Sequence, residues 1–178
     1  MYWEKIEGFF NFDNIYDRMV REAENGAVFA EIGSWKGRST MYMAEAIKKS
    51  GKKIKFYAID TFKGTENEKE TLVDNLYEEY LKNIEPLKEY ITTIRGDSSL
   101  VHPQIKNNEL DFLFIDGDHR YKGVRNDLIN WYPKVKSKGI ISGHDYAEPT
   151  CGVKIAVDQY FLFTGIQTDR TSWIYKKP

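Results

Sequence analysis

Apolar residues concentrate in five short runs along the chain. The runs cover residues 27–32, 55–60, 90–96, 110–116 and 139–145, and turn-forming residues bound them. Runs of this length that are almost continuously apolar indicate strands buried on both faces, as in a parallel sheet covered by helices. We therefore predict five central strands.

Helical periodicity fills the stretches between these runs. Apolar residues at three- and four-residue spacing predict helices over residues 15–24, 39–50, 66–82, 100–106 and 121–135. A sixth helix is predicted after Thr150, whose hydroxyl suits the N-cap position, and residues 165–178 predict a hairpin or a pair of edge strands. Alternating strands and helices indicate an α/β, doubly wound fold with a mostly parallel sheet and an antiparallel C-terminal edge.

The length of 178 residues suits one domain with a sizeable core. We assign residues 27–178 to that domain and residues 1–26 to an N-terminal helical lid or flap. The first ten residues are amphipathic and aromatic. Such a segment suits a lid, a homodimer contact or a flap that covers the core.

The composition limits the kinds of binding partner and the cellular compartment that we expect for this protein. Lys and Arg total 26 against 27 Asp and Glu, so no global field attracts nucleic acid or an anionic membrane. The single cysteine excludes an internal disulfide and a multi-cysteine zinc site. Because the N-terminus also lacks the features of a signal peptide, we expect a cytoplasmic location, with no nucleic-acid or membrane partner.

Each predicted strand ends in an acidic or small polar cluster. Parallel strands place their carboxyl ends at one edge of the sheet, and ligands bind there in doubly wound folds. A carboxylate-rich site at that edge is therefore predicted. Its acidic members are Glu31, Asp60, Asp97, Asp116 and Asp145.

The first of these clusters lies in the stretch FAEIGSWKGRST, residues 29–40. Gly33 and Gly37 allow a tight turn before a helix N-terminus. The spacing matches neither G-x-G-x-x-G nor a P-loop, and Glu31 would repel a pyrophosphate but attract a cationic ligand. On this pattern alone, a ligand-binding turn and an ordinary strand-to-helix connection both remain open.

The other clusters carry separate expectations. Asp60 suits a ribose, or else a helix cap or turn, and Asp97 with Ser98 suits an adenine edge or a plain turn. Oxygen donors with imidazole, at Asp116–His119 and at His144 and Asp145, suit Mg²⁺ or Mn²⁺. The alternative for these last residues is a set of unpaired surface acids.

Long stretches of the chain resemble the class I S-adenosylmethionine-dependent methyltransferases, in particular methyltransferase family 24. The similar stretches are GAVFAEIGSWKGRST, YAIDTFKGT, GDSS and DFLFIDGDHRYKGVRNDLINWYPKVKSKGIISGHDY. The resemblance implies a Rossmann-like fold and S-adenosylmethionine as cofactor. This ligand carries a sulfonium and an ammonium but no phosphate, which agrees with a carboxylate at Glu31.

The resemblance also assigns cofactor residues. The turn around Glu31 would hold the methionine end, Asp60 the ribose, and Asp97 with Ser98 the adenine. The complete set expected at the cofactor is Glu31, Gly33, Ser34, Trp35, Gly37, Ser39, Asp60, Thr61, Asp97, Ser98, Asp116 and Asp118.

Asp116 and Asp145 are similar in position to the metal-binding acids of the catechol and caffeoyl-coenzyme A O-methyltransferases. Those enzymes carry a lysine near the acceptor where this chain has His119, and a histidine can act as a general base near neutral pH. Tyr146 replaces the asparagine that normally follows the second acid, so His144 is the nearest third ligand. The resemblance thus implies a metal site of Asp116, His144 and Asp145, with His119 and Asp116 as catalytic residues.

These assignments predict methyl transfer from S-adenosylmethionine to a hydroxyl of a small acceptor, a sugar or a natural product, with help from Mg²⁺ or Mn²⁺. Two alternatives remain open. One is metal-independent transfer to nitrogen or oxygen, and the other is a partner subunit that binds the cofactor without catalysis.

Overall fold

The computed structural model describes residues 1–64, 72–148 and 152–178. Seven strands of these ranges form one sheet. They are β1 (Val28–Ile32), β2 (Lys55–Asp60), β3 (Thr92–Arg95), β4 (Leu110–Ile115), β5 (Val135–Gly143), β6 (Ile166–Asp169) and β7 (Ser172–Lys176).

The strand order is β3-β2-β1-β4-β5-β7-β6. The first five strands run parallel, whereas β7 pairs antiparallel with β5, and β6 pairs antiparallel with β7. The order reverses beside β1, so chain crossovers leave in both directions from the centre of the sheet. The predicted doubly wound α/β fold with an antiparallel C-terminal edge is confirmed.

Six α-helices are present in the described ranges. They are α1 (Asp13–Glu22), α2 (Arg38–Ser50), α3 (Leu76–Ile84), α4 (Ser98–Val101), α5 (Tyr121–Trp131) and α6 (Val153–Tyr160). Short 3-10 segments occur at Trp3–Lys5, Glu85–Tyr90, His102–Gln104 and Tyr132–Lys134. Every helix in these ranges is too short or too polar to span a bilayer.

Several helix ends differ from the predictions. The helix predicted over residues 66–82 begins only at Leu76, and residues 66–71 of that prediction lie outside the described residues. The predicted N-cap Thr150 also lies outside them, and Gly152 precedes α6. The helix predicted to reach residue 135 ends at Trp131, because Pro133 has no amide hydrogen with which to continue α-helical bonding.

The fifth strand is longer than predicted. It starts at Val135, which pairs with Leu110, and the register then shifts before Phe112 pairs with Ile140. The intervening residues 136–138 are polar and partly exposed, so the apolar pattern did not reveal that part of the strand. The irregular start leaves the carboxyl end of β5 level with the end of β4.

Alternation along the strands divides the core between the two faces of the sheet. In β4, Phe112 and Phe114 face one cluster, while Leu113 and Ile115 face the other. Helix α1 belongs to the first cluster, where the ring of Tyr16 meets that of Phe114 edge to face at a centroid distance of 5.2 Å. The N-terminal helix therefore packs directly on the central sheet.

Close backbone packing joins the ends of β1 and β4. Gly33 has φ of 92°, and a Cβ atom there would lie 1.9 Å from the carbonyl oxygen of Asp116. Asp116 N donates to the carbonyl of Ile32 at 2.7 Å, so the two chain segments cannot move apart without losing this bond. Only glycine fits at residue 33.

We expect Gly33→Ala to lower the free energy of unfolding by about 2 kcal/mol more than Gly26→Ala, as measured by urea denaturation. Gly26 has the same φ of 92°, but among the described residues no heavy atom comes within 4 Å of a Cβ placed there. The comparison therefore separates the clash with Asp116 from the cost of a left-handed alanine. Equal losses for the two variants would contradict the packing argument.

Candidate active site

A cavity of about 910 Å³ opens at the carboxyl ends of the parallel strands. Its size lies within the roughly 300–1,000 Å³ range of small-molecule sites. Most of the predicted site residues line it. They are Gly33, Ser34, Trp35, Ser39, Asp60, Thr61, Asp97, Ser98, Asp116, Asp118, His119, His144 and Asp145.

Two predicted cofactor residues lie outside this lining. Glu31 is 1% exposed and is buried beneath the turn that follows β1. Gly37 has φ of 89° and immediately precedes α2, and a Cβ there would come within 3.1 Å of the Tyr80 ring. Glu31 and Gly37 therefore do not border the cavity. Glu31 supports the turn from the sheet side, and Gly37 supports it from the side of α2.

Hydroxyl groups surround the Glu31 carboxylate. Tyr16 Oη donates to Oε1 at 2.9 Å, and Thr40 Oγ1 and Ser34 Oγ donate to Oε2 at 2.5 and 3.2 Å. Burial raises the pKa of Glu31 to about 7, although hydrogen bonds from Ser39 and these hydroxyls act in the opposite direction. Glu31 thus ties α1 and the first turn of α2 to the end of β1.

This raised pKa predicts a pH-dependent stability. Between the usual glutamate value of about 4.5 and 7, the folded protein binds more protons than the unfolded chain, so the free energy of unfolding falls as the pH rises. We expect Glu31→Gln to remove roughly 2 kcal/mol of the decrease between pH 5 and 7.5 in urea titrations. Glu89→Gln, at an exposed position, is the matched control. An unchanged pH profile in Glu31→Gln would contradict the assignment.

Asp60 connects the end of β2 with the turn after β1. Its Oδ2 accepts from the amides of Ser34 and Trp35 at 2.8 Å each, and its Oδ1 accepts from Phe62 N at 2.6 Å. A carboxylate has about four acceptor positions, and the described residues occupy three of them, which leaves one for a ligand hydroxyl. Trp35 and Phe62 both have positive φ, of 43° and 55°, so Asp60 stabilises a strained loop.

The residues that follow β3 form another wall of the cavity. Asp97 caps α4 by accepting from Ser99 N at 2.9 Å and from Ser99 Oγ at 2.6 Å. Ser98 Oγ donates to Asp127 Oδ1 at 2.5 Å. Asp127 is 4% exposed, and burial raises its pKa to about 7. The wall therefore contains a buried carboxyl group from α5.

Sequence reasoning missed Asp127. The signal was present, because Asp127 shares one face of α5 with Val124, Leu128 and Trp131, all of which are buried. A carboxylate on the apolar face of a helix is unusual unless it has a partner, and here the partner is Ser98.

Asp118 is held by its neighbour two residues along the chain. The Arg120 guanidinium donates to both carboxylate oxygens, at distances from 2.6 to 3.0 Å, and Arg120 N donates at 2.9 Å. Partial burial raises the pKa of Asp118, but these hydrogen bonds outweigh burial and hold it below its usual range. Asp118 therefore lines the cavity as a charged and oriented carboxylate.

The predicted metal residues come together at the ends of β4 and β5. Ile115 pairs with Gly143, so Asp116 and His144 leave neighbouring strands at the same level. One ligand atom from each of Asp116, His144 and Asp145 lies within 4.8 Å of the others. His144 Nδ1 lies 2.9 Å from Asp145 Oδ1 and 3.7 Å from Asp116 Oδ1.

Electrostatics within this cluster are coupled. Burial would lower the pKa of His144, but the hydrogen bond to Asp145 and the charges of Asp116 and Asp145 raise it above its usual value. Burial would raise the pKa of Asp145, but the His144 hydrogen bond lowers it. Asp145 adopts a left-handed φ of 57°, a strained conformation that turns its carboxylate toward the cavity.

His119 lies on the same side of the cavity. Its Nε2 is 3.4 Å from Asp116 Oδ1 and 3.3 Å from Asp145 Oδ2. The imidazole thus lies beside both acids of the cluster. A general base needs such a position to accept a proton from a group bound at the cluster.

The N-terminal segment at residues 8–11 also lines the cavity, and the sequence did not predict these residues as part of the site. Arg38 Nη1 donates to two main-chain carbonyls of this part of the chain at 3.2 Å each. Lys36 Nζ pairs with Glu7 at 2.7 Å. The turn after β1 therefore anchors the segment that borders the cavity mouth.

Comparison with known sequences decides the family. A model of the methyltransferase domain, family 24, matches residues 30–146. This chain belongs to that family. The predicted class I S-adenosylmethionine-dependent methyltransferase is confirmed, and S-adenosylmethionine is the methyl donor of such domains.

Solved structures agree on the fold of this methyltransferase domain. The O-methyltransferase NovP matches with a TM-score of 0.72 and 21% identity over 93% of this chain and 78% of its own. MycE, a methyltransferase from the mycinamycin biosynthetic pathway solved in complex with Mg, SAH and mycinamycin VI, matches with a TM-score of 0.64 and 17% identity over 99% of this chain and 51% of its own.

A curated relative is much longer. The uncharacterized protein y4gI of Sinorhizobium fredii is 24% identical over 115 residues, which cover 65% of this chain. The matched region covers 12% of that relative's length.

We expect Asp60→Asn to weaken binding of S-adenosylhomocysteine to this methyltransferase domain at least tenfold, as measured by calorimetry. The amide would present a donor to the donating amides of Ser34 and Trp35 and remove the charged acceptor that a ribose needs. The control is Asp74→Asn, at an exposed position remote in sequence from the strand ends. Wild-type affinity in Asp60→Asn would contradict the ribose assignment.

Proposed function

We propose that this protein transfers the methyl group of S-adenosylmethionine to a hydroxyl oxygen of a small acceptor, a sugar or a natural product, with help from Mg²⁺ or Mn²⁺. The observation that carries the proposal is a cluster of two carboxylates and two imidazoles, from Asp116, Asp145, His119 and His144. It lies in the same cavity as the glycine turn that follows β1. One cavity would thus contain a site for the methyl donor, a metal site that activates the acceptor hydroxyl, and a general base.

The donor set fits a divalent cation. Asp116 and Asp145 offer hard oxygen ligands and two negative charges, and His144 offers imidazole, a combination that suits Mn²⁺ and Mg²⁺. These three residues would hold the ion. A bound ion would act as a Lewis acid and would lower the pKa of an acceptor hydroxyl.

The protein's own residues supply binding, orientation and the base. Asp60 and the turn around Ser34 and Trp35 would bind the cofactor and orient it toward the acceptor. His119 Nε2, beside both acids, takes the hydroxyl proton as the acceptor oxygen attacks. The new bond joins oxygen to the methyl carbon, while the electrons of the broken carbon–sulfur bond stay on sulfur. Alignment of the two reactants contributes much of the rate, since effective molarities can reach roughly 10⁵ M or more.

The acceptor class rests on similar proteins. NovP is named an O-methyltransferase, and MycE, a methyltransferase from the mycinamycin biosynthetic pathway, was solved with Mg, SAH and mycinamycin VI. Both share the fold of this chain, which supports a hydroxylated small molecule as the acceptor here.

We expect turnover on a panel of hydroxylated sugars and natural products to fall at least 100-fold in chelator and to recover with added Mg²⁺ or Mn²⁺. Turnover is measured as the rate of S-adenosylhomocysteine formation. Asp145→Asn should abolish the metal response, because it removes a charged ligand, and His119→Ala should lower kcat while leaving S-adenosylhomocysteine affinity unchanged.

Asp74→Asn, at an exposed position, serves as the control for loss of one acidic charge. Full activity in chelator would remove the metal from the proposal and favour metal-independent transfer. Tight cofactor binding without product on any acceptor would favour a non-catalytic cofactor-binding subunit.

A further inference from the structure

Asp127 presents one carboxylate oxygen to the cavity without a protein donor. The side chain is 4% exposed and lines the cavity. Its Oδ1 accepts from Ser98 Oγ at 2.5 Å, whereas Oδ2 accepts no hydrogen bond from any of the described residues. A buried acceptor is costly unless a ligand or water supplies a donor, so Oδ2 is a candidate ligand contact.

The surrounding chain holds this carboxylate in one orientation. Trp131 is fully buried, and its Nε1 donates to Ser98 O at 3.1 Å, which fixes the partner of Oδ1. Val124 and Leu128, on the same face of α5, belong to the core cluster on that side of the sheet. Oδ2 is therefore held at the wall of the cavity.

The loop that follows β4 leaves Oδ2 accessible. Gly117 also lines the cavity, and a Cβ atom placed there would lie 3.8 Å from Asp127 Oδ2. A side chain at residue 117 would cover this oxygen from the side of the loop. Because the residue is glycine, a ligand in the cavity can approach Oδ2.

The other two carboxylates near this wall are less suited to selecting a ligand. Asp97 is exposed, and both oxygens of Asp118 are paired with Arg120. Water readily replaces a ligand donor at an exposed carboxylate. A buried carboxylate has no such replacement, so it discriminates strongly between ligands that have the donor and ligands that lack it.

Charge at this wall favours a ligand group that donates hydrogen bonds. The charges that act on Asp127 are those of Asp97 and Asp118, and both are negative. A donor with partial positive charge is therefore attracted to Asp127, and an acceptor is repelled.

S-adenosylmethionine carries three kinds of hydrogen-bond donor: an ammonium, two ribose hydroxyls and the amino group of adenine. Asp60 offers its open acceptor position to the ribose, and the methionine end belongs at the turn after β1, with the methyl group facing the cluster beside His119. Asp127 lies elsewhere, between Ser98 and Gly117. The amino group of adenine is the donor that remains for Asp127.

We propose that Asp127 recognises the adenine of the cofactor, with Oδ2 accepting a hydrogen bond from the exocyclic amino group. The contact makes the site specific for adenine over purines that lack this group. The inference rests on the cofactor site of the proposed function. Asp127 is a binding residue and takes no part in the transfer of the methyl group.

The first test uses the wild-type protein alone. Calorimetry at about pH 8.5 compares S-adenosylhomocysteine with an analogue in which unsubstituted purine replaces adenine. At this pH the carboxyl group of Asp127 is ionised, since burial raises its pKa only to about 7. We expect S-adenosylhomocysteine to bind roughly 100-fold or more tightly than the purine analogue. Equal affinities would overturn the inference.

The second test replaces the acceptor by a donor. In Asp127→Asn the amide oxygen can still accept from Ser98 Oγ, while the amide NH₂ group takes the place of Oδ2. We expect the preference for S-adenosylhomocysteine over the purine analogue to fall at least tenfold. S-inosylhomocysteine, which has a carbonyl oxygen in place of the amino group, should bind this variant at least tenfold more tightly than it binds the wild type.

Asp74→Asn, at an exposed position, is the matched control and should keep the wild-type preference. Urea denaturation shows whether each variant is folded. If Asp127 only anchors α4 to α5 through Ser98, folded Asp127→Asn keeps the wild-type preference, and the inference is overturned. Loss of the preference in Asp97→Asn but not in Asp127→Asn would also overturn it.

Failure of the inference is distinguishable from failure of the proposed function. If the wild type binds neither ligand, the cofactor site of the proposed function is wrong. If it binds both equally well, the cofactor site stands and only the contact between Asp127 and adenine is wrong. The wild-type comparison decides this even if Asp127→Asn does not fold.

Discussion

Backbone pairing at the ends of β1, β4 and β5 is the constraint on which the site depends. Asp116 N donates to Ile32 O at 2.7 Å, and His144 N donates to Ile115 O at 3.3 Å. These bonds bring three strand ends to one level, so residues that are far apart in sequence share a cavity. The bulged start of β5 and the absence of a side chain at Gly33 both make that alignment possible.

Buried carboxyl groups and strained backbone also occur around this edge of the sheet. Glu31 and Asp127 are almost fully buried, and each is compensated by hydroxyl donors rather than by a counter-charge. Trp35 and Asp145 have left-handed backbone at the two sides of the cavity. Such features persist where the surrounding structure over-determines them, and here the parallel sheet and the Asp60 amide contacts do so.

The fold and most of the pocket were predictable because their signals are local. Continuous apolar runs indicated the five parallel strands, and the rule that ligands collect at their carboxyl ends placed Asp60, Asp116 and Asp145 correctly at the cavity. The role first given to Glu31 was different: an acid beside a glycine turn was expected to attract the cofactor. The structure places it beneath the turn, because the alternation of β1 directs its side chain toward Tyr16 and Thr40.

The sequence alone determined the strand and helix order, the family and the types of chemical group at each strand end, since these depend on periodicity and on short contiguous motifs. Only the tertiary structure decided which groups meet. Asn11, Asp127 and Thr171 belong to three distant elements, and no pattern along the chain links any of them to His144 or Ser98. Their contacts arise from how α1, α5 and the β6–β7 turn pack on the sheet, which is a matter of distance in space and not of spacing in sequence.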